Sequence, residues 1–220
     1  MLISHRHRFV VFPDPLDVCP YIRRALDPWI DRSLRHLATG RAGLSTSTIM
    51  TPTEVARDFP AGEGRFDDYT RIAILQDPYQ RMAQLYHMIC HSDRYWQLRQ
   101  DWRFGVPSFD RWLAATRPFG RGAGHILSPR WRRHGAWAAE PWCAGHVTHV
   151  ARAEAAADDL SQIFRLRDIA PSFSCRDSDQ TGVAVPDKRI YTQGSVALIE
   201  ARYAVDLRLR ARSRLGQFAA

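Results

Sequence analysis

The sequence predicts an α/β fold in which a mainly parallel sheet is flanked by helices. Three short apolar segments, Phe9–Phe12, residues 72–75 and residues 147–151, are too short for helices and suit buried strands. Each is followed by a segment with helical periodicity. Alternation of strand and helix is typical of parallel sheets with helices on both faces, so we expect these segments to be the central strands.

The first helix follows a proline-rich turn. Its apolar residues Ile22, Leu26 and Ile30 recur at helical spacing, while Arg23 and Arg24 lie on another face. This spacing predicts a helix that continues to residues 36–40.

Later helices are predicted from start signals and apolar spacing. Thr51 and Pro52 provide a hydroxyl N-cap and a proline at the first helical position, and Glu54 completes the start signal. Pro78 and Ser108 begin two further segments of helical spacing. The predicted helices after the first are 51–58, 78–99, 108–115, 153–164 and 194–210.

Length and composition favour one domain over residues 1–220, large enough to bury a core. The formal charge of +8 suits acidic partners such as nucleotides, sulfated glycans or nucleic acid, without choosing among them. The first residues contain no long apolar run, which predicts a cytoplasmic protein without an integral membrane segment. The four cysteines lack metal-ligand spacing, which favours reduced thiols.

Four stretches follow one another in an order and spacing that resemble one known family. Tyr203 and Asp206 match the family's terminal Y-x-x-D-L helix. The four stretches are PLDVCPYIRRAL at 15–26, IAILQDPYQRMAQLY at 72–86, VARAEAAADDL at 150–160 and the terminal segment 191–207. They resemble the carbohydrate-type sulfotransferases over nearly the whole chain. The resemblance implies a P-loop-like sulfotransferase fold and transfer of a sulfonate from PAPS, the phosphoadenosine phosphosulfate donor, to a carbohydrate or small-molecule hydroxyl.

The resemblance also implies which loop would contact the donor's 5′-phosphosulfate. In the family this loop supplies a lysine, hydroxyls and backbone N–H groups, whereas here Leu16 stands at the lysine position and Pro20 precedes Tyr21 where hydroxyl residues would be. Leucine carries no charge and proline donates no N–H. A register shifted to Pro13 puts Asp14 at the lysine position, which would repel the ligand. The implied donor positions of this loop are Leu16, Asp17, Cys19 and Tyr21.

A second donor element is implied for the 3′-phosphate. The family's arginine and serine fall on Gln76 and Gln84, and Arg81 is retained. Neutral hydrogen bonds are about half as strong as charge-assisted ones, which weakens this contact. Arg81 has two interpretations, ligand contact or a helix-surface salt bridge. Lys188 and Arg189 are either nucleotide contacts or solvated loop charges.

The resemblance also implies that the acceptor binds near the basic segment 117–134, which is rich in arginine, glycine and tryptophan. His125 is the candidate catalytic base, with a locally bonded loop histidine as its alternative. Guanidinium forks bind sulfate and carboxylate, and tryptophan stacks on sugars. The implied acceptor-binding residues are Arg130, Trp131, Arg132 and Arg133, which otherwise form an exposed basic loop.

No metal site is predicted. His146 and His149 are three apart on a predicted strand and therefore face opposite sides. His87 and His91 share one helix face, but the sequence shows no further ligand beside them.

Three functions remain open from the sequence. The family chemistry is sulfuryl transfer from PAPS, but both donor elements are altered, which predicts weak donor binding and makes catalysis doubtful. The alternative is a non-catalytic binding or scaffold module for anionic glycans or another polyanion. A nucleic-acid-binding protein is less favoured, because only the charge supports it.

Overall fold

The computed structural model describes residues 1–13, 20–31, 52–59, 64–91, 106–115, 146–167, 169–171, 173 and 190–213. The strands are β1 (Leu2–Ser4), β2 (Phe9–Phe12), β3 (Thr70–Leu75) and β4 (His149–Arg152). The helices are α1 (Pro20–Leu26), α2 (Pro52–Asp58), α3 (Pro78–His91), α4 (Phe109–Ala115), α5 (Ala156–Arg165), α6 (Gln193–Arg202) and α7 (Ala204–Ser213). Short 3-10 turns cover Asp27–Trp29, Phe66–Asp68 and Ala153–Ala155.

The four strands form one mixed sheet in the order β1-β2-β3-β4. Strand β2 pairs in parallel with β3, and β3 pairs in parallel with β4, with Val11 opposite Ile72 and Ile72 opposite His149. The prediction of three parallel central strands between helices is therefore confirmed. Strand β1 adds an antiparallel edge, with Ile3 opposite Val10.

Apolar residues fill both faces of the sheet because successive strand residues point to opposite sides. On one face Phe9 and Ile72 pack against α1 and α5 through Leu26 and Phe164. On the other face Val10 and the strand residues that point to the same side pack against α2, the 66–68 turn and α7. Further strand residues on this face include Phe12, Ala73, Leu75 and Val150. The residues that pack over them include Val55, Phe66 and Leu209. Helices therefore cover both faces, as the alternation of elements predicts.

A third apolar cluster joins α3, α4 and α6 beside the sheet. Met82, Leu85, Trp112 and Tyr203 are almost fully buried in it. The Tyr86 hydroxyl donates to the Pro107 carbonyl oxygen at 2.7 Å, which ties α3 to the start of α4. This cluster fixes the position of α3, whose first turn follows the end of β3.

The first helix is shorter than predicted. It ends at Leu26, and a 3-10 turn over Asp27–Trp29 follows it. Pro28 explains the change, since proline lacks an N–H and disfavours the helical conformation of the residue before it. The prediction of a helix continuing to 36–40 is therefore wrong over residues 27–31, and the remainder of the predicted helix lies outside the described residues.

The predicted terminal helix is two helices. Tyr203, with φ −115° and ψ 25°, interrupts the helical backbone between α6 and α7. Its ring is 1% exposed, and its hydroxyl donates to the Met82 sulfur at 3.2 Å. The predicted starts near 51, 78 and 108 are confirmed by α2, α3 and α4, and the described part of α3 ends at His91.

Candidate functional site at the carboxyl edge of the sheet

The carboxyl ends of β3 and β4 lie side by side, where ligands bind in open parallel sheets. Gln76 and Asp77 directly follow β3, and Glu154 closely follows β4. Helix α7 crosses this end of the sheet and contributes Arg210, whose Nη1 donates to the Leu75 carbonyl oxygen at 2.8 Å. We call this group, together with the charged residues bonded to it, the carboxyl edge.

Gln76 and Gln84, the two residues at the predicted 3′-phosphate positions, are bonded to each other. The Gln76 Nε2 donates to the Gln84 Oε1 at 2.5 Å. Gln76 is 2% exposed, and its Oε1 has no hydrogen-bond partner among the residues that the structure describes. The structure thus brings these predicted site residues together, in a neutral pair in which one amide bonds the other.

Arg81 forms a buried ion pair with Asp206. The Arg81 Nη2 lies 2.6 Å from the Asp206 Oδ2, and the side chains are 4% and 1% exposed. The Tyr203 ring lies under the same guanidinium, 5.2 Å from its carbon to the ring centroid. Arg81 therefore forms a salt bridge, but it is buried, and not on the helix surface as one of the two predicted interpretations placed it. The guanidinium is turned inward, to the Y-x-x-D segment.

Arg210 connects three parts of the carboxyl edge. Its Nη1 donates to the Glu154 Oε2 at 3.0 Å, and its Nη2 also donates to the Glu154 Oε1. The Nη2 lies 3.6 Å from the Asp77 Oδ2. Burial raises the pKa of Glu154, but the Arg210 hydrogen bonds, a backbone hydrogen bond and nearby arginine charges outweigh burial and lower it overall. Nothing in the sequence distinguishes Arg210, which is only the last residue of the predicted helix 194–210.

Asp77 immediately precedes α3, at the N-cap position of the helix. Its Oδ1 accepts a hydrogen bond from the Tyr79 N–H at 2.8 Å, and its carbonyl accepts from the Arg81 N–H at 2.8 Å. The first turn of a helix attracts anions through its free N–H groups. Here a carboxylate of the chain itself satisfies part of that demand, which leaves this turn less able to hold a phosphate.

Arg152, at the end of β4, is bound by Asp159 of α5. The Nε and Nη2 of Arg152 donate to the two carboxylate oxygens of Asp159 at 2.9 and 2.7 Å. The Arg152 N–H donates to the same carboxylate at 2.8 Å. The hydrogen bond with Asp159 raises the pKa of Arg152 against the opposing effect of burial. This bidentate geometry uses the Nε–Nη2 side of the guanidinium.

The described carboxyl edge therefore carries no surplus positive charge. Each of its three guanidinium groups is bonded to a carboxylate: Arg81 to Asp206, Arg152 to Asp159, and Arg210 to Glu154. With Asp77, four carboxylates face three guanidinium groups. A site for a bisphosphate would need the opposite balance.

Of the four predicted donor positions in the phosphosulfate loop, Tyr21 is the one that the structure describes. It lies in α1, half-buried, and packs against the core on the α1 and α5 side of the sheet. The remaining predicted site residues lie outside the described residues: Leu16, Asp17, Cys19, His125, Arg130, Trp131, Arg132, Arg133, Lys188 and Arg189.

The described residues form neither a metal-ligand cluster nor a helix suited to a membrane. Within the described ranges, no group of three histidine, cysteine, aspartate or glutamate residues has the geometry to hold a metal ion. His149 begins β4, while His146 precedes the strand. None of the helices in the described part of the chain has the length and apolar character needed to cross a membrane.

The comparisons with known proteins leave the family of this chain open. Comparison with models of protein families, with curated proteins and with solved structures gave no significant match.

Proposed function

We propose that the chain is a sulfotransferase-like domain in which the carboxyl edge, where the donor would bind, now has a structural role. It acts as a binding module for anionic glycans rather than as a sulfotransferase. The resemblance of its four segments to that family suggests the origin. The described fold, a sheet with three parallel strands between helices, is compatible with it. The bonding within the carboxyl edge is what supports a loss of donor binding.

The observation that carries this proposal is the internal bonding of the carboxyl edge. Gln76 bonds Gln84, and Arg81 is buried against Asp206. A donor phosphate would have to displace Asp206 from Arg81, and breaking a buried ion pair costs about 3–5 kcal/mol. PAPS would therefore bind here only at a large energetic cost.

The glycan part of the proposal is supported by charge. The formal charge of +8 is not consumed at the carboxyl edge, where carboxylates outnumber guanidinium groups. The surplus must lie elsewhere on the chain. The basic segment with Arg130, Arg132 and Arg133 is one such place in the sequence.

We expect the natural protein to transfer no sulfonate and still to bind a sulfated glycan. The measurement is incubation with radiolabelled PAPS and a panel of glycan and small-molecule acceptors, followed by separation of labelled products. Retention on immobilised heparin is measured in parallel, with salt elution. Label transfer above the rate in boiled protein would overturn the non-catalytic proposal, whereas lack of retention would overturn the glycan part.

A further inference from the structure

Several exposed arginines lie at the edge of the sheet opposite the carboxyl edge. Arg6 and Arg8 are exposed in the four-residue turn between β1 and β2. Arg165 ends α5 and Arg167 follows it, both exposed. The ring of Phe9, next to Arg8, lies 5.0 Å from the ring of Phe164, centroid to centroid. This contact joins the start of β2 to the end of α5, so we call these four arginines the amino-edge patch.

The arginines of the amino-edge patch differ from those of the carboxyl edge in their bonding. None of their side chains forms an ion pair or hydrogen bond with any residue that the structure describes. By contrast, Arg81, Arg152 and Arg210 each hold a carboxylate. The patch thus presents guanidinium forks that are available to an anionic ligand.

Arg8 is held in an unusual backbone conformation. Its φ of 49° is the one positive φ of a non-glycine residue in the described part of the chain. This left-handed region is unfavourable for L-residues other than asparagine and aspartate, and glycine adopts it without strain. A strained position occupied by an exposed arginine, where glycine would fit better, indicates that the side chain has a use beyond folding.

The carboxylates that the structure describes near the patch are already engaged. Asp31 accepts a hydrogen bond from the His5 N–H through its Oδ2. Before β3, Asp67 accepts a hydrogen bond from Arg71 at 2.7 Å, and Asp68 accepts one from the Arg65 N–H at 3.4 Å. No described carboxylate therefore neutralises the four patch arginines.

We infer that the amino-edge patch binds a sulfated polysaccharide. This inference rests on the proposed function and deepens its glycan part by naming the surface that does the binding. Guanidinium forks match the planar pairs of oxygens on sulfate and carboxylate groups. The aromatic residues Trp29 and Phe173 near the patch are half-buried against the core, whereas binding of single-stranded nucleic acid would require exposed rings for base stacking. Leu166 is the one large apolar side chain exposed among the described residues there, at 76%, too little for membrane insertion.

The first test compares two double variants with the same change in charge. One is Arg8→Gln/Arg167→Gln, which we call the patch variant. Its control is Arg111→Gln/Arg208→Gln, which changes exposed arginines of α4 and α7. Calorimetry with a heparin oligosaccharide at 0.1 M salt is expected to show about tenfold weaker binding for the patch variant. The control is expected to lose less than about twofold, because its arginines lie outside the patch. Equal losses would overturn the patch as the binding surface.

The second test uses the natural protein and does not depend on how a variant folds. Burial lowers the pKa of His149, and the charge of Arg167 lowers it further. A sulfate bound at Arg167 offsets the second effect, so saturation with the same oligosaccharide is expected to raise the His149 pKa measured by NMR. An unchanged His149 pKa with heparin fully bound would place binding elsewhere and overturn this inference.

The remaining outcomes separate this inference from the proposed function. Tighter binding of duplex DNA or of phosphatidylserine vesicles than of the heparin oligosaccharide would assign the patch to nucleic acid or membrane and overturn it. Heparin binding that survives in the patch variant, together with no sulfonate transfer, would leave the proposed function intact and reject only this surface. An Arg8→Gly variant adds a check on folding: it is expected to melt at the same or a higher temperature than the natural protein, yet to bind heparin more weakly.

Discussion

Replacing Asp206 with alanine is expected to destabilise the fold by about 3–5 kcal/mol, the cost of leaving one partner of a buried ion pair alone. Asp206 is 1% exposed and lies 2.6 Å from Arg81, which is 3% exposed. In the variant the Arg81 charge would remain buried over the Tyr203 ring without the Asp206 carboxylate. Urea unfolding at pH 7, followed by circular dichroism, measures the loss.

Two further variants identify the cause of this loss. Arg81→Met/Asp206→Leu removes both charges and is expected to recover most of the stability, since apolar replacements of a buried pair are often neutral. Asp67→Ala breaks an exposed contact with Arg71, and its expected cost is below about 1 kcal/mol. A double variant as unstable as Asp206→Ala would show that packing, rather than the unpaired charge, is responsible.

Arg210→Met is expected to cost about 2–4 kcal/mol, because it leaves Glu154 and the Leu75 carbonyl without their shared donor. Methionine keeps the apolar stem of the side chain against the sheet. The lost bonds join β3, β4 and α7, so the variant is expected to loosen the whole carboxyl edge. Hydrogen exchange of the β3 and β4 amides would locate the effect, and unchanged protection there would contradict it.

The cost of Arg210→Met is also expected to depend on pH. The folded-state pKa of Glu154 is lowered, so its contribution is complete above the ordinary glutamate pKa and disappears as the pH falls through the folded value. The difference in unfolding free energy between natural protein and variant should therefore be largest near neutral pH and shrink below about pH 4. A difference that stays constant into acid would mean that Glu154 is not the partner that matters.

The parts of the fold that follow from local pattern were predictable. Residues 9–12 and 72–75 are apolar on every position because both sheet faces are covered, and this pattern identified them as strands. Strand β1 has only three residues, too few to establish a period. Pro28, by contrast, was a visible stop signal for α1, and the apolar spacing that continues to Ile30 obscured it.

The bonding of the candidate site was much less predictable. The family resemblance singled out Gln76, Gln84 and Arg81, all within one local segment. Their environment depends on residues far along the chain, since Asp206 is 125 residues from Arg81 and Arg210 is 135 residues from Leu75. No local spacing encodes such pairs; only the folded arrangement of α7 against the sheet brings them together.

Calorimetric titration of the natural protein with adenosine 3′,5′-bisphosphate tests most directly our proposal that the carboxyl edge does not bind PAPS. Losing a charged partner to a buried phosphate costs about 2–5 kcal/mol, and two such losses weaken binding by about a thousandfold or more. We therefore predict no saturable heat up to about 1 mM ligand. Saturable binding with micromolar affinity would contradict the claim and restore an active sulfotransferase as the leading function.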